Sequence, residues 1–201
     1  MDVIAFVSDK GGVGKSTWCA LFYEFITAQG MVPDTVDADV NKSFSNYLEA
    51  AGQRNPDQKP SGEFQLIDTQ GAAGTDRPFA AKADVIISPF RPAFADISVL
   101  SAWVGFVRDE ILAKTFFLPN MIGTAKDQRE SLEQVEELIE GTGARLLPPV
   151  SHRPAIYPRI LEGLPFNFFA DNSAATKQAR EEAGAICKMI LAELGWQVED
   201  T

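Results

Sequence analysis

Cysteine is scarce. Cys19 and Cys187 are the only two, and neither stands in a CxxC or Cys/His cluster. That argues against a disulfide framework and against a zinc site, and makes a reducing cytoplasm the default compartment. Both read as small buried hydrophobes. Histidine occurs once, at His152. No apolar run approaches the ~20 residues a membrane span needs. The amino terminus, Met1-Asp2-Val3-Ile4-Ala5-Phe6-Val7, lacks the basic region and cleavage site of a signal peptide. Positive charge is also short: the net charge is −10, which argues against a broadly basic nucleic-acid binder but leaves room for a local patch. No internal repeat or low-complexity tract is visible.

What is present is alternation. Short β-branched and apolar runs alternate with longer helical segments, the pattern of βαβ units and a parallel sheet. The first strand is expected over 2–8 and the first helix from Lys15 to Gln29, stopped by Gly30. A second strand should end at Asp37, weakened by Pro33 and Asp34. The polar stretch 53–62, with two prolines, reads as a loop. Strands follow at Phe64–Asp68, Asp84–Ser88, Thr115–Ile122 and Ala144–Leu147. Helices are expected over Asp96–Leu112, with Asp96 as N-cap, and over Asp127–Glu140, with Leu132, Val135, Leu138 and Ile139 on one face. Two more close the chain, over 155–162 and 173–194. The last carries a core stripe of Ala175, Ala179, Ala183, Ile186, Ile190 and Leu194.

The first strand delivers Lys10-Gly11-Gly12-Val13-Gly14-Lys15-Ser16-Thr17 to the first helix. The strict phosphate-loop pattern GxxxxGK[ST] fails at its first position, where Asp9 stands. The physics survives: glycines let backbone N–H groups close on phosphate oxygens, and the helix points its N-terminus at them. Lys15 is placed to reach the β- and γ-phosphates, Ser16 to offer a hydroxyl to Mg²⁺, and Thr17 to bond the α-phosphate. The chain is thus expected to bind Mg-ATP.

This loop resembles that of the ParA/MinD family of deviant Walker ATPases, KGGxGK[ST][ST]. The resemblance implies a doubly wound, mostly parallel α/β sheet with helices on both faces, in one domain over 1–201. It implies that Lys10 crosses an ATP-sandwiched dimer to the partner's nucleotide. Val36-Asp37-Ala38-Asp39-Val40-Asn41 resembles the family's DxDxQ segment, so Asp37 would organise Mg²⁺ and Asp39 would position the attacking water. Asn41 replaces the usual Gln and Val40 the usual Pro. Phe64–Asp68 resembles a Walker B strand, with Asp68 holding Mg²⁺ through water. Gly71 and Gly74 behind it suit a γ-phosphate-sensing switch. An exposed acidic turn is the plainer reading of Asp37 and Asp39.

The segments 148–158 and 162–165 are similar to the family's region bordering adenine and the dimer interface. His152 there reads as a loop or interface residue rather than an acid–base catalyst. Arg153, Arg159, Lys177 and Arg180 are candidates for a DNA-facing patch. Ordinary solvated charge is the alternative, since Glu181 and Glu182 sit beside them.

The function implied is a ParA-like ATPase that dimerises on ATP, binds DNA non-specifically and positions cargo. A ParB-like adaptor or cargo protein would stimulate slow hydrolysis. The expected location is cytoplasmic and nucleoid-associated, with no membrane contact. Alternatives are a MinD-like ATPase acting on a membrane or protein surface, and an accessory ATPase of conjugation or T-DNA transfer. A short acidic end, Gly195–Thr201, disfavours the membrane.

Overall fold

The computed structural model describes residues 1–52, 59–72, 74–123, 126–162, 168–170 and 173–198. Six strands form one sheet: β1 (Asp2–Phe6), β2 (Asp34–Asp37), β3 (Phe64–Asp68), β4 (Val85–Phe90), β5 (Thr115–Pro119) and β6 (Arg145–Leu146). They lie in the order β2-β3-β1-β4-β5-β6, and every adjacent pair is parallel. The helices are α1 (Lys15–Ala28), α2 (Ser43–Gly52), α3 (Arg77–Lys82), α4 (Phe94–Phe106), α5 (Asp109–Leu112), α6 (Lys126–Ile139), α7 (Tyr157–Leu161) and α8 (Ala174–Glu193).

Successive strand residues face opposite sides of a sheet, and the chain uses both. Ile4, Phe6, Leu66, Ile87 and Leu118 join one core with α1, α2, α7 and α8. Ala5, Val7, Ile67, Ile86 and Phe117 join the other with α3, α4 and α6. A sheet covered on both faces explains why β4 reads as a continuous apolar run. The chain leaves β1 for β2 on one side and later returns to β4 on the other. The strand order therefore reverses beside β1, and the crevice outside its carboxyl end is where such sheets bind ligands. The doubly wound fold expected from the sequence is the one observed.

Several elements differ from expectation. The short helices α2 and α3 were not anticipated. The expected helix over Asp96–Leu112 is two, because Val107 and Arg108 are extended between α4 and α5. Ala93 occupies the N-cap of α4; the Asp96 carboxylate turns inward to Arg91 instead of capping. β5 ends at Pro119, and Ile122 makes just an isolated bridge to Ser151. β2 begins at Asp34, directly after Pro33. On α8, Ala179, Ala183, Ile186 and Ile190 are buried as expected. Ala175 is exposed and Leu194 half-buried, while Thr176, Cys187 and Leu191 complete the stripe. Cys19 and Cys187 are both free and fully buried. The middle of the proline-containing loop (53–58) and residues 163–165 lie outside the described residues. Among the described residues, no helix is long and apolar enough to cross a membrane.

Candidate functional site

Residues 8–14 connect β1 to α1 across the switch point. Gly12 and Gly14 take φ of +73° and +105°, a region that other residues enter at a cost. A side chain at Gly14 would also overlap the Asn120 amide, which donates to the Val13 carbonyl at 2.8 Å. Asn120 at the end of β5 thus pins the loop from the opposite strand. The first turn of α1 has no side-chain cap and no acidic residue. Its free N–H groups remain available to an anion.

The loop opens onto a cleft of about 500 Å³ whose wall includes Gly11, Gly12, Gly14, Lys15, Ser16, Thr17 and Asp39. Trp18, Tyr157, Pro158, Pro154 and His152 also line it, with Trp18 close to Gly14. Trp18 and Tyr157 rings lie 6.4 Å apart. Val13 is buried behind the loop rather than lining the cleft; its carbonyl serves Asn120.

Lys15 is 6 % exposed. Its ammonium curls back to donate to the carbonyls of Lys10 at 3.2 Å and Ser8 at 3.4 Å. Burial lowers its pKa, opposed by Asp76, Asp68, Asp39 and Asp9. Asp68 is fully buried, and among the described residues neither of its carboxylate oxygens has a well-formed hydrogen bond. Burial pushes its pKa up to about 7, with the nearby Ser16 hydroxyl and Lys15 pulling the other way. Such orphaned oxygens call for an explanation, and a role in holding a cation is one.

Asp37 pairs in register with Asp68 on the neighbouring strand. Its oxygens are already engaged: Oδ1 accepts the Asp39 N–H at 3.0 Å, and Oδ2 accepts the Ser45 N–H and hydroxyl at 2.8 and 2.7 Å. Asp37 therefore fastens the post-β2 loop to the start of α2. Asp39 Oδ1 accepts the Asn41 N–H at 2.9 Å, which fixes Asp39 at the cleft wall.

Among the described residues, no group of three His, Cys, Asp or Glu side chains could hold a metal ion. Mg²⁺ fits that poverty: it keeps waters and takes one or two protein oxygens plus substrate phosphates. Asp68 and the Ser16 hydroxyl are the residues that would hold it, with Asp37 supporting them from the adjacent strand.

The post-β3 loop grips the phosphate loop at three points. Ser8 N–H donates to Asp76 Oδ2 at 3.1 Å, and Gly74 N–H donates to Asp9 Oδ1 at 3.4 Å. A Cβ on Gly71 would come within 2.8 Å of Gly11 backbone and the Lys10 carbonyl oxygen. Gly71 is there for close approach, and Asp9, the residue that breaks the strict loop pattern, ties the two loops. Asp76 is 2 % exposed, and burial lifts its pKa to about 6. Lys10 points away from the cleft, its ammonium 3.9 Å from Asp96 Oδ1.

Asn120 and Asp76 are site residues that the sequence reading missed, whereas Tyr157, within the segment 148–158 likened to an adenine-bordering region, lines the cleft. A polar residue directly after a parallel strand was the available signal for Asn120. The place of Asp76 depends on long-range folding. The four candidate DNA cations are dispersed in their bonding. Arg153 pairs with Glu182 at 2.8 Å and lines the cleft. Arg159 is exposed. Lys177 lies 3.9 Å from Glu181, and Arg180 donates to Thr176 at 3.3 Å; both line a groove beside α8.

A parallel sheet with a glycine-rich loop at its switch point and a buried carboxylate beside it defines a P-loop nucleotide-binding fold. The sequence matches the CobQ/CobB/MinD/ParA nucleotide binding domain over residues 4–166, and the chain belongs to that family. Solved structures agree on the fold. McdA from Cyanothece, in its ATP complex, is similar with TM-score 0.70 at 14% identity, over 100% of this chain and 99% of that one. MinD from Pyrococcus horikoshii, complexed with Mg-ADP, gives 0.66 at 17% identity over 98% and 99%. A putative plasmid partition protein from Borrelia burgdorferi, bound to AMPPNP, gives 0.62 at 18% identity over 96% and 99%. No curated protein matches the sequence significantly.

Proposed function

We propose that the chain is a Mg²⁺-dependent ATPase of the positioning type, which dimerises on ATP and carries cargo over a DNA track. The observation that carries this reading is the meeting of Lys15, Ser16 and the unpartnered, buried Asp68 at the mouth of the glycine loop.

Lys15 would swing from the Ser8 and Lys10 carbonyls to the β- and γ-phosphates, exchanging neutral acceptors for charged ones. The α1 N-terminus and the loop N–H groups would hold the phosphate oxygens. Mg²⁺ would neutralise charge on the phosphates, the main requirement of phosphoryl transfer. Asp39, held by Asn41 and Asp37, would orient the attacking water. The cyclic side chains of the cleft wall, Tyr157 and Pro158 among them, would receive the base. Lys10 is not needed for its own phosphates, which Lys15 serves. A second nucleotide facing it across a two-fold axis gives that extra ammonium its use.

DNA binding would draw on Lys177, Arg180 and Arg159, doubled by dimerisation. A protein surface as the track is the second reading, favoured by the retention of Arg153 and Lys177 by Glu182 and Glu181. Sedimentation of wild type and Asp39→Ala with ATP, ADP and non-specific DNA tests all of this. Expected are an ATP-dependent dimer and DNA binding that weakens steeply with salt. A trapped ATP dimer that ignores DNA at low salt would reject DNA as the track. A monomer in every nucleotide would reject the dimer.

A further inference from the structure

An aspartate directly before a helix ordinarily caps it. Asp76 stands at the N-cap of α3, yet its side chain caps nothing. The carboxylate turns into the fold instead and is buried there. Oδ2 accepts the Ser8 N–H at 3.1 Å. Oδ1 lies 3.0 Å from the Thr75 hydroxyl, which also reaches the Ala72 carbonyl at 2.7 Å. The same Ser8 offers its carbonyl to the Lys15 ammonium at 3.4 Å. Asp76 and Lys15 are thus joined through one residue, the carboxylate at its N–H and the ammonium at its C=O.

These hydrogen bonds do not need a charge. Asp76→Asn would keep an oxygen for the Ser8 N–H and turn its amide to the Thr75 oxygen, whose one proton would go to Ala72. Burial disfavours an ionised carboxylate, and it lifts the Asp76 pKa to about 6. A negative group near the place where phosphates bind also repels them. The charge therefore has a use that hydrogen bonding does not explain, and Lys15 supplies it. Burial lowers the Lys15 pKa, and of the four carboxylates that oppose this Asp76 acts most strongly. The other three have other tasks. Asp68 and Asp39 serve the metal and water positions in the proposed function, and Asp9 holds the Gly74 N–H.

We propose that Asp76 is a positioning residue that sets nucleotide affinity: its negative charge holds Lys15 in the curled-back pose, and the phosphates must draw the ammonium away from it. Its action presupposes the proposed nucleotide site, with Lys15 as the phosphate ligand. In the resting chain Lys15 donates to the Ser8 and Lys10 carbonyls, with Asp76 bonded to the N–H of Ser8. When the ammonium moves out to the β- and γ-phosphates it loses attraction to Asp76, and this offsets part of its attraction to the ligand. Asp76 stays on the Ser8 N–H and touches no reacting atom. It therefore acts on binding and not on the chemical step.

Calorimetric titration of Mg-ATP into the full wild-type chain and into Asp76→Asn tests this. The variant should bind ATP about tenfold more tightly, the scale of one charge interaction that shifts a pKa by about one unit. Its single-turnover hydrolysis at saturating ATP should stay within about twofold of wild type. A purely structural role predicts the opposite, weaker binding and slower turnover. Asp76→Ser, also neutral and still polar, should shift affinity in the same direction, and thermal melts verify the folding of both variants. Equal or weaker ATP binding by the folded variants would overturn the role of Asp76 and leave the site intact. Failure of both to fold would make the carboxylate a structural requirement and overturn that role too. No binding of Mg-ATP by wild type would reject the site itself, and the role of Asp76 with it.

Discussion

The Lys10 ammonium lies 3.9 Å from the buried Oδ1 of Asp96, a carboxylate that Arg91 already holds through hydrogen bonds of 2.7 and 3.1 Å. The arginine is the structural partner of Asp96, and the lysine is a loose third member. Lys10→Ala should therefore change stability by less than about 0.5 kcal/mol, as expected for a long, partly exposed pair. Arg91→Ala, which leaves Asp96 buried without its main partner, should cost on the order of 1–3 kcal/mol. Urea melts of the two variants measure the contrast. Loss of ATP-dependent dimerisation in Lys10→Ala at unchanged stability would then report function and not folding.

Two loop glycines should separate ligand space from packing space. A Cβ on Gly11 meets nothing within 4 Å, whereas one on Gly71 collides with the Gly11 and Lys10 backbone at 2.8 Å. Gly11→Ala should leave stability within about 0.5 kcal/mol yet weaken nucleotide binding, because the new methyl occupies the cleft. Gly71→Ala should lose about 1–3 kcal/mol of stability by overpacking and affect binding through the displaced loop. Calorimetric titration beside thermal melts reads both. Equal effects of the two substitutions would contradict this division.

The buried carboxylates set a pH dependence. Asp68 is raised to about 7 and Asp76 to about 6 from a starting value of 3.8. A raised acid favours its protonated form in the fold. Its stabilisation is complete below the unfolded value and is lost as pH rises through the folded one. For Asp68 that window runs from about 4 to about 7. Asp68→Asn should flatten this part of the profile and leave the nucleotide-free protein more stable than wild type at pH 7.5, by on the order of 1 kcal/mol or more. Denaturant melts at pH 5 and pH 7.5 check the sign. A variant less stable than wild type at the higher pH would show that the Asp68 carboxylate is satisfied after all.

Where a local pattern determined the outcome, the sequence was legible. β1, β3 and α1 follow from apolar periodicity and from Gly30, and the phosphate loop from its glycines and two lysines. α2 and α3 escaped because short helices carry too few turns to show a period. Asp96 read as an N-cap because its residue type suits one. Its actual partner, Arg91, is fixed by the turn after β4, which no local pattern announces. Arg153 read as a free cation because its neutraliser, Glu182, lies on a helix 29 residues on. The contact of Gly71 with Gly11 and the reach of Asn120 across to Val13 likewise exist only once the sheet is assembled.

Hydrolysis should depend on Asp39 more than binding does. It lines the cleft, and its hydrogen bonds stay within its own turn: its carboxylate accepts the Asn41 N–H, its N–H donates to Asp37, and its carbonyl accepts the Lys42 N–H. Asp39→Ala should retain ATP and slow turnover by ~10²–10⁴, the usual cost of losing a positioned proton acceptor. Single-turnover phosphate release measures it. An unchanged rate would move the role to another residue, Asp37 first.

The most direct measurement is a calorimetric titration of Mg-ATP into the wild-type chain and into Lys15→Ala. Lys15 is buried and its ammonium donates to the Ser8 and Lys10 carbonyls, and circular dichroism of the variant checks that the fold survives its loss. The expected result is saturable binding of ATP to wild type and none detectable in the variant, with both equally folded. Near-wild-type affinity in Lys15→Ala would contradict the assignment of the loop as the nucleotide site.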